Sequence, residues 1–258
     1  MDAKRGLELQ RRAIEAFLRG MTAGSPGAEL LELDGVMAAI VPGCPDRAVP
    51  NSAIHAGAKS LRGSLDELAD AYERAGVRAH AMWTLEPDPE VEAALENAGY
   101  GFDGEPAAMC AELDAMPLAE VGDLDWDAEA TTEEVGRVND LAYGYPQGKG
   151  MAAAIGPSSD EAGIRSYRAR VAGEVACVLQ TFDVGSDVLV SWVATLPEFR
   201  DRKLASRLLA AALGAARDRG HETTTLQASM LGRGVYERLG YELIQPLRLH
   251  ERRVVSAQ

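Results

Sequence analysis

Apolar residues recur at helical spacing in the first segment of the chain, MDAKRGLELQRRAIEAFLRG. Leu7, Ile14, Phe17 and Leu18 would share one face of a helix, which is the pattern of an amphipathic helix packed on a core. The segment lacks the continuous apolar stretch of a secretory signal. No other part of the sequence approaches the ~20 apolar residues that span a bilayer. We therefore expect a cytoplasmic protein without membrane contact.

A second pattern occurs twice along the chain. The stretches Asp66–Tyr100 and Ala211–Tyr241 each predict a helix that ends at a glycine, a short strand, and a second helix that closes on Gly-Tyr. Glycine after a helix favours the left-handed residue that ends it, and Gly76 and Gly220 hold that place. One small insertion, EPDPE, accounts for the difference in length. We interpret the repeat as an internal duplication, the alternative being a chance likeness of two α/β units.

Strand patterns precede each copy. In the second half, YRARVAGEVACVLQTFDVGSDVLVSWVATL predicts consecutive strands with turns at 172–173 and 184–186. In the first half, GAELLELDGVMAAIV and NSAIHAG hold the equivalent positions. Strands followed by helix, strand, helix and strand make a mixed α/β layer. We predict an α/β (α+β) fold of two mixed-sheet domains in tandem, with helices on both faces of each sheet.

The boundary between these domains is predicted in AELDAMPLAEVGDLDWDAEATTEE. An apolar strand over 107–113 gives way there to an acidic segment that contains proline, and a new helix begins at about Thr132. We place the first domain at 1–116 and the second at 117–258. Both lengths are ordinary for a domain.

Charge and cysteine content narrow the function classes. Lys and Arg total 26 against 40 Asp and Glu, which gives a formal net charge of −14. Binding to nucleic acid needs a basic face, so we expect no such partner. Cys44, Cys110 and Cys177 have no short spacing, so neither a zinc site nor a disulfide framework is indicated, and we expect no metal. The oligomeric state is left open.

Three cations nevertheless lie together where a strand meets a helix. Arg200, Arg202 and Lys203 follow the strand pattern and precede an alanine- and leucine-rich helix. The start of a helix collects unpaired backbone N–H groups and attracts anions, so a phosphate or pyrophosphate is the expected ligand. The P-loop and dinucleotide glycine motifs are absent. The alternative is three solvated side chains, although cations without an anion are unfavourable at this end of a helix.

The same stretch resembles a known family. VATLPEFRDRKLASRLL is similar to the acetyl-CoA-binding segment of the GNAT N-acetyltransferase superfamily, which pairs V-x-P-x-x-R with an [RQ]-x-x-G-x-[GA] loop. Lys203 stands where the family usually has glycine. Downstream, LQASMLGRGVYERLGYE resembles the family's second signature, and together the likeness covers about 124–250. The first half looks like a degenerate second copy without cofactor binding, because 56–65 lacks the Pro-x-x-Arg lead-in and Leu95 aligns with Tyr236.

The resemblance implies an N-acyltransferase that moves an acetyl group from acetyl-CoA to an amine of a small molecule or peptide by direct attack. Tyr236 would be the general acid that reprotonates the CoA thiolate. Tyr143 and Tyr145 would line the acceptor pocket. The residues implied to bind acetyl-CoA are Val193, Ala194, Thr195, Arg200, Arg202, Lys203, Leu204, Ala205, Ser206 and Ser229.

Several alternatives stay open at this point. Tyr236 fits a core aromatic as well, Ser229 a helix cap, and both pocket tyrosines ordinary loop aromatics. The general base is unassigned among Asp187, Asp183, His250 and a chain of water molecules. A non-catalytic acyl-CoA-binding module, or an enzyme similar to mycothiol synthase, would share much of this pattern.

Overall fold

The computed structural model describes residues 1–23, 25–145, 150–230 and 232–254. The helices are α1 (Ala3–Thr22), α2 (Ala58–Arg74), α3 (Pro89–Asn97), α4 (Thr132–Ala142), α5 (Met151–Ala154), α6 (Leu204–Asp218) and α7 (Arg233–Arg238). The strands are β1 (Glu29–Leu33), β2 (Val36–Ile40), β3 (Ser52–His55), β4 (Ala79–Thr84), β5 (Gly101–Gly104), β6 (Ala107–Glu112), β7 (Asp125–Asp127), β8 (Ile164–Val171), β9 (Glu174–Val184), β10 (Asp187–Thr195), β11 (Thr223–Ala228), β12 (Glu242–Pro246) and β13 (Arg248–Arg253).

These strands form two mixed sheets, which confirms the predicted fold class. The first sheet has the order β1-β2-β3-β4-β13-β5 and the second β12-β6-β11-β10-β9-β8-β7. Helices α2 and α3 pack with the first sheet in one apolar cluster, and α6 covers a face of the second sheet in another. α1 lies between the sheets, where Ile14 and Phe17 belong to a core shared by both. Each sheet therefore has helices on both faces.

The two sheets exchange one strand each. β6, from the first half of the chain, pairs antiparallel with β11 and β12 in the second sheet. β13, from the end of the chain, pairs antiparallel with β4 and β5 in the first. The inserted strand thus holds the same place in both sheets, as a duplicated unit requires. The division between 116 and 117 stays a prediction, and the hydrogen bonding of the sheets crosses it twice.

The repeated glycines act as predicted. Gly76 and Gly220 follow the ends of α2 and α6 with φ of +69° and +93°, values that cost glycine little. β4 and β11 begin shortly after them and run parallel to β3 and β10. The pattern therefore brings the two copies to the same helix–strand geometry.

Two negative findings concern membranes and metals. Within the described ranges, no helix is long and apolar enough to cross a membrane. The same residues contain no group of three or more His, Cys, Asp or Glu side chains that could hold a metal ion. All three cysteines are free and buried.

Candidate active site

The site begins where β10 and β11 separate. The two strands pair in parallel only over 187–189 and 223–225. β10 then slips in register against β9 between Ser191 and Ala194, and Trp192 takes a left-handed φ of +53° in this bulge. A β-bulge bends its strand, while β11 stays paired with β6 as far as Ala228. Among the described residues, no strand therefore pairs with the last part of β10 on that side.

The loop after β10 ends at a cluster of unpaired backbone donors. Lys203 is the N-cap of α6 and lies in the left-handed region at φ +57°. Among the described residues, no acceptor binds the backbone N–H groups of 201–206. The first turn of α6 also contains no acidic residue. Unpaired N–H groups and the helix dipole together make this position attractive to an anion.

The three cations around this loop are not equivalent. All three are exposed, but Arg200 donates from Nη2 to the Ala142 carbonyl at 2.7 Å and so ties the loop to the end of α4. The guanidinium carbon of Arg202 lies 5.3 Å from the centre of the Phe199 ring. Arg202 and Lys203 are the cations left available to a phosphate.

A cavity of about 520 Å³ extends from the diverging strands into the space between the sheets. α1 contributes Ile14 and Phe17, and Asn139 of α4 faces the same space. The two sheets and the loops next to them contribute the other walls. These include Arg47, Trp83, Asp103, Leu249, Glu251 and Arg253 on one side, and Val190, Trp192, Val193, Leu226, Ser229 and Tyr236 on the other.

Tyr236 lies on α7 at this cavity. Its ring packs edge-on against Tyr241 with 5.8 Å between centroids. Its hydroxyl makes no hydrogen bond to another described residue. Burial, with a smaller contribution from Tyr143, raises the pKa of the phenol well above its ordinary value, so the proton stays on the oxygen at neutral pH.

Residues 157–244 match a family model described as an acetyltransferase (GNAT) domain. Over these residues the chain is similar to a GNAT domain. No curated protein matches the sequence. The structure of a GCN5-related N-acetyltransferase from Kribbella flavida is similar at a TM-score of 0.66 and 18% identity, covering 93% of this chain and 94% of that one.

Two further solved structures share the fold. A GCN5-related N-acetyltransferase from Sphaerobacter thermophilus matches at a TM-score of 0.53 and 16% identity, covering 85% of this chain and 80% of that one. A tandem GNAT protein from the clavulanic acid biosynthesis pathway matches at a TM-score of 0.57 and 12% identity, covering 100% of this chain and 98% of that one. The predicted resemblance to tandem GNAT proteins is confirmed at the level of the fold.

Three further predicted site residues, Ser229, Tyr143 and Tyr145, also border the cavity. Ser229 accepts hydrogen bonds from the Gly232 backbone N–H through Oγ at 3.2 Å and through its carbonyl at 3.0 Å, so it caps the turn before α7 as well as lining the cavity. Tyr143 is 61% exposed at the cavity rim. Tyr145 lies flat against Arg47, with 3.6 Å from the guanidinium carbon to the ring centre.

The described residues of the first half contain no equivalent of the loop between β10 and α6. β3 ends at His55 and α2 begins at Ala58, whereas the second copy has residues 196–203 between strand and helix. Leu95, aligned with Tyr236, is fully buried in the apolar cluster around α2 and α3. These differences support the prediction that the first half binds no CoA.

The three side chains considered as general base lie away from the cavity. Asp187 is buried and accepts hydrogen bonds from the hydroxyls of Thr223 and Thr225, both at 2.7 Å. Its pKa is raised by burial. Asp183 pairs with Arg165, Arg219 and His221. His250 Nε2 lies 2.8 Å from a Glu92 oxygen in the first sheet. All three have structural partners instead.

The carboxylates that do line the cavity are Asp103 and Glu251, contributed by β5 and β13. Sequence reasoning did not single out Asp103, Arg47 or Asn139. Asp103 and Arg47 belong to the half without the family motifs. Asn139 carried a usable signal, because it is a polar residue four positions after buried Val135 on the buried face of α4.

A buried ion pair joins the two halves beside this site. Arg47 Nη1 lies 2.7 Å from Asp140 Oδ1, with side chains only 10% and 5% exposed. Burial raises the pKa of Asp140, while Arg47 opposes that change. The pair fixes α4 against the first half, and Tyr145 covers it.

Proposed function

We propose that this protein transfers an acetyl group from acetyl-CoA to an amine of a small molecule or peptide. The observation that carries the proposal is the continuity of three features. The gap between β10 and β11 opens beside the unpaired N–H groups at the start of α6, and the cavity that continues from the gap ends between the halves. This is a path for a long ligand with an anionic end and a reactive end.

The residues present fit acetyl-CoA along that path. The N–H groups of Leu204, Ala205 and Ser206 would bind the pyrophosphate, with Arg202 and Lys203 adding charge. Arg200 would act indirectly, through the loop that it ties to α4. The backbone of Val193, Ala194 and Thr195 would lie along the pantetheine arm, and Ser229 would border it.

When bound, acetyl-CoA would supply an acetyl thioester, whose carbonyl carbon the amine attacks as the C–N bond forms and the C–S bond breaks. Backbone alternation supports an oxyanion role for the Val193 N–H. Ala194 pairs with Val178, and the Leu196 N–H donates to the Ala176 carbonyl at 2.9 Å. The odd-numbered positions therefore direct their N–H groups away from β9. A fixed N–H donor at the developing oxyanion lowers the barrier.

Tyr236 would donate its phenolic proton to the departing sulfur. The proton lost by the amine would leave through the side of the cavity that holds Asp103 and Glu251. Direct attack is favoured over a cysteine intermediate, because burial raises the pKa of the Cys44 thiol to about 12 and of the Cys177 thiol to about 11.

The test is calorimetric titration of acetyl-CoA into the native chain and two charge-reversal variants. Arg202→Glu should weaken binding at least about tenfold, because it places an anion beside the pyrophosphate. Arg12→Glu is the matched control, an exposed arginine on α1 that does not line the cavity. It should change the dissociation constant less than about twofold, since salt screens exposed charges that make no direct contact. Absence of binding by the native chain would contradict the proposal.

A non-catalytic acyl-CoA-binding module is the second candidate. It is favoured by the position of Asp187, Asp183 and His250 outside the cavity. Thiol release from acetyl-CoA, followed against a panel of primary amines, separates the two. Amine-dependent release supports the transferase, whereas tight binding without release supports the module.

A further inference from the structure

Asn139 is a polar residue at a core position of α4. It is 1% exposed, and it lines the cavity between the halves. Its Nδ2 donates to the Val135 carbonyl at 3.2 Å and to the Trp192 carbonyl at 3.1 Å. A side-chain amide has two N–H donors, and both are used. The orientation of the amide is therefore fixed by two acceptors.

The carbonyl oxygen of this amide has no such partner. No described residue donates a hydrogen bond to Asn139 Oδ1. The atom is unpaired among these residues but is not fully buried, because it is absent from the buried unpaired side-chain atoms. The cavity is the space that the residue lines. Asn139 thus offers the cavity one neutral acceptor and no donor, which selects a ligand group that carries an N–H or O–H.

The other end of the amide acts on the peptide unit at the bulge. The Trp192 carbonyl, which Asn139 binds, and the Val193 N–H belong to one peptide, so the two point in opposite directions. Trp192 is not glycine and has φ +53°, a conformation that surrounding contacts must maintain. Its side chain packs on Phe17 at 5.3 Å between ring centroids. Asn139 adds a hydrogen bond that fixes the direction of the N–H.

We propose that Asn139 binds the acceptor amine through Oδ1 and, through Nδ2, holds the Trp192–Val193 peptide so that its N–H faces the acetyl carbonyl. One side chain would thereby align the nucleophile with the group that stabilises the oxyanion. The inference rests on the proposed acetyl transfer and specifies its acceptor. The acceptor is a primary amine, cationic in solution. The cavity lining offers it the carboxylate of Asp103, whereas the Glu251 carboxylate pairs with Arg253.

The experiment compares Asn139→Leu, Asn139→Asp and Val138→Ala. Leucine keeps the volume and removes both functions, and aspartate keeps an oxygen toward the cavity but loses the donor to Trp192. Val138 is fully buried on the same helix, so its truncation reports general loosening of α4. Each variant is checked by thermal unfolding and by titration with CoA before kinetics with a reactive primary amine from the panel.

For Asn139→Leu, kcat/KM for the amine should fall between about 30- and 300-fold, from one lost hydrogen bond and a misdirected oxyanion donor. The dissociation constant of CoA should change less than about threefold. Titration of the amine into the CoA-saturated protein, where no acetyl group is present, should show amine binding at least about fivefold weaker. Asn139→Asp should lower kcat while KM for the amine stays at or below the native value.

Three results would overturn the inference. They are a kcat/KM within threefold of native for Asn139→Leu, an equal loss in Val138→Ala, and a rise in the amine KM of Asn139→Asp that matches the leucine variant. Should the native chain bind CoA but acetylate no amine, the proposed function falls and the role of Asn139 falls with it. If the native chain acetylates the amine and the Asn139→Leu variant is equally active, the role of Asn139 is contradicted but the proposed function stands.

Discussion

At the scale of single residues, Lys203 has a conformation that usually belongs to glycine. Its φ of +57° is unfavourable for a side chain with Cβ. The side chain is exposed and pairs with no carboxylate of the described residues, so it is available to the ligand. Conformation and charge thus act in opposite directions at one position.

Lys203→Gly separates these effects. We expect the dissociation constant of acetyl-CoA to rise about five- to tenfold, because one phosphate contact is lost. The free energy of unfolding should stay within about 1 kcal/mol of native, since relief of the left-handed strain offsets the greater freedom of glycine in the unfolded chain. Calorimetry and urea denaturation measure the two quantities. Tighter binding would mean that the lysine crowds the loop instead.

Tyr236→Phe tests the proton donor. Phenylalanine keeps the ring that packs on Tyr241 but has no proton to give, so kcat should fall at least about tenfold. This lower bound lies below the usual general-acid effect of about 100-fold or more, because water can also protonate the departing thiolate. The dissociation constant of CoA should change less than about twofold, because the ring and its packing are kept. Steady-state thiol release measures the first and calorimetry the second. Tyr167→Phe, in the core of the second sheet and outside the cavity lining, is the control. Equal rates in the native enzyme and the Tyr236→Phe variant would exclude the acid role.

At the scale of elements, β4 carries a histidine buried between aromatic side chains. His80 is 2% exposed. Its ring stacks on Tyr72 with 4.2 Å between centroids, and its Nδ1 lies 2.9 Å from the Tyr100 hydroxyl. Burial, aided by nearby Arg252, lowers the pKa of His80 from 6.5 to about 4.

This shift predicts how stability depends on pH. Between pH 6.5 and 4, His80 is protonated in the unfolded chain but neutral in the folded chain. The contribution of His80 to the free energy of unfolding is therefore complete above pH 6.5 and is lost as pH falls toward 4. The loss attributable to His80 is about 3 kcal/mol. His80→Phe combined with Tyr100→Phe should therefore show a shallower decline in urea denaturation across this window. A decline as steep as that of the native protein would contradict the assignment to His80. Part of the slope should remain in both proteins, because burial also lowers the pKa of His55 to about 4.

Local patterns predicted the elements well and their partners less well. The helix ends at Gly76 and Gly220, the strands around 164–195 and the start of α4 at Thr132 all follow from periodicity and caps. The strand exchange could not be predicted, because β6 pairs with residues more than a hundred positions away and β13 reads as the polar string RLHERR. The loop residues could be predicted because they form one contiguous motif. Asn139, Arg47 and Glu251 could not, because only tertiary packing brings them together.

At the scale of the whole molecule, the exchanged strands make each half depend on the other. Without β13, β4 and β5 lose the strand that separates and pairs with both. In the second sheet, β11 and β12 likewise lose the strand between them when β6 is absent. Unpaired edges of this kind expose backbone groups and favour aggregation. The buried Arg47–Asp140 pair adds a polar contact across the same junction.

A chain cut between 116 and 117 should therefore reassemble from its parts. Co-expressed fragments 1–116 and 117–258 should elute as one complex with a single cooperative unfolding transition, because each supplies the strand that the other sheet lacks. Each fragment expressed alone should aggregate or remain unfolded. Assembly is measured by capture through a tag on one fragment, followed by size-exclusion chromatography. The control is fragment 117–246, which lacks β13 and should capture fragment 1–116 poorly. A monomeric, cooperatively folded 117–258 would show that the second sheet closes without β6, and the exchange would then be dispensable for stability.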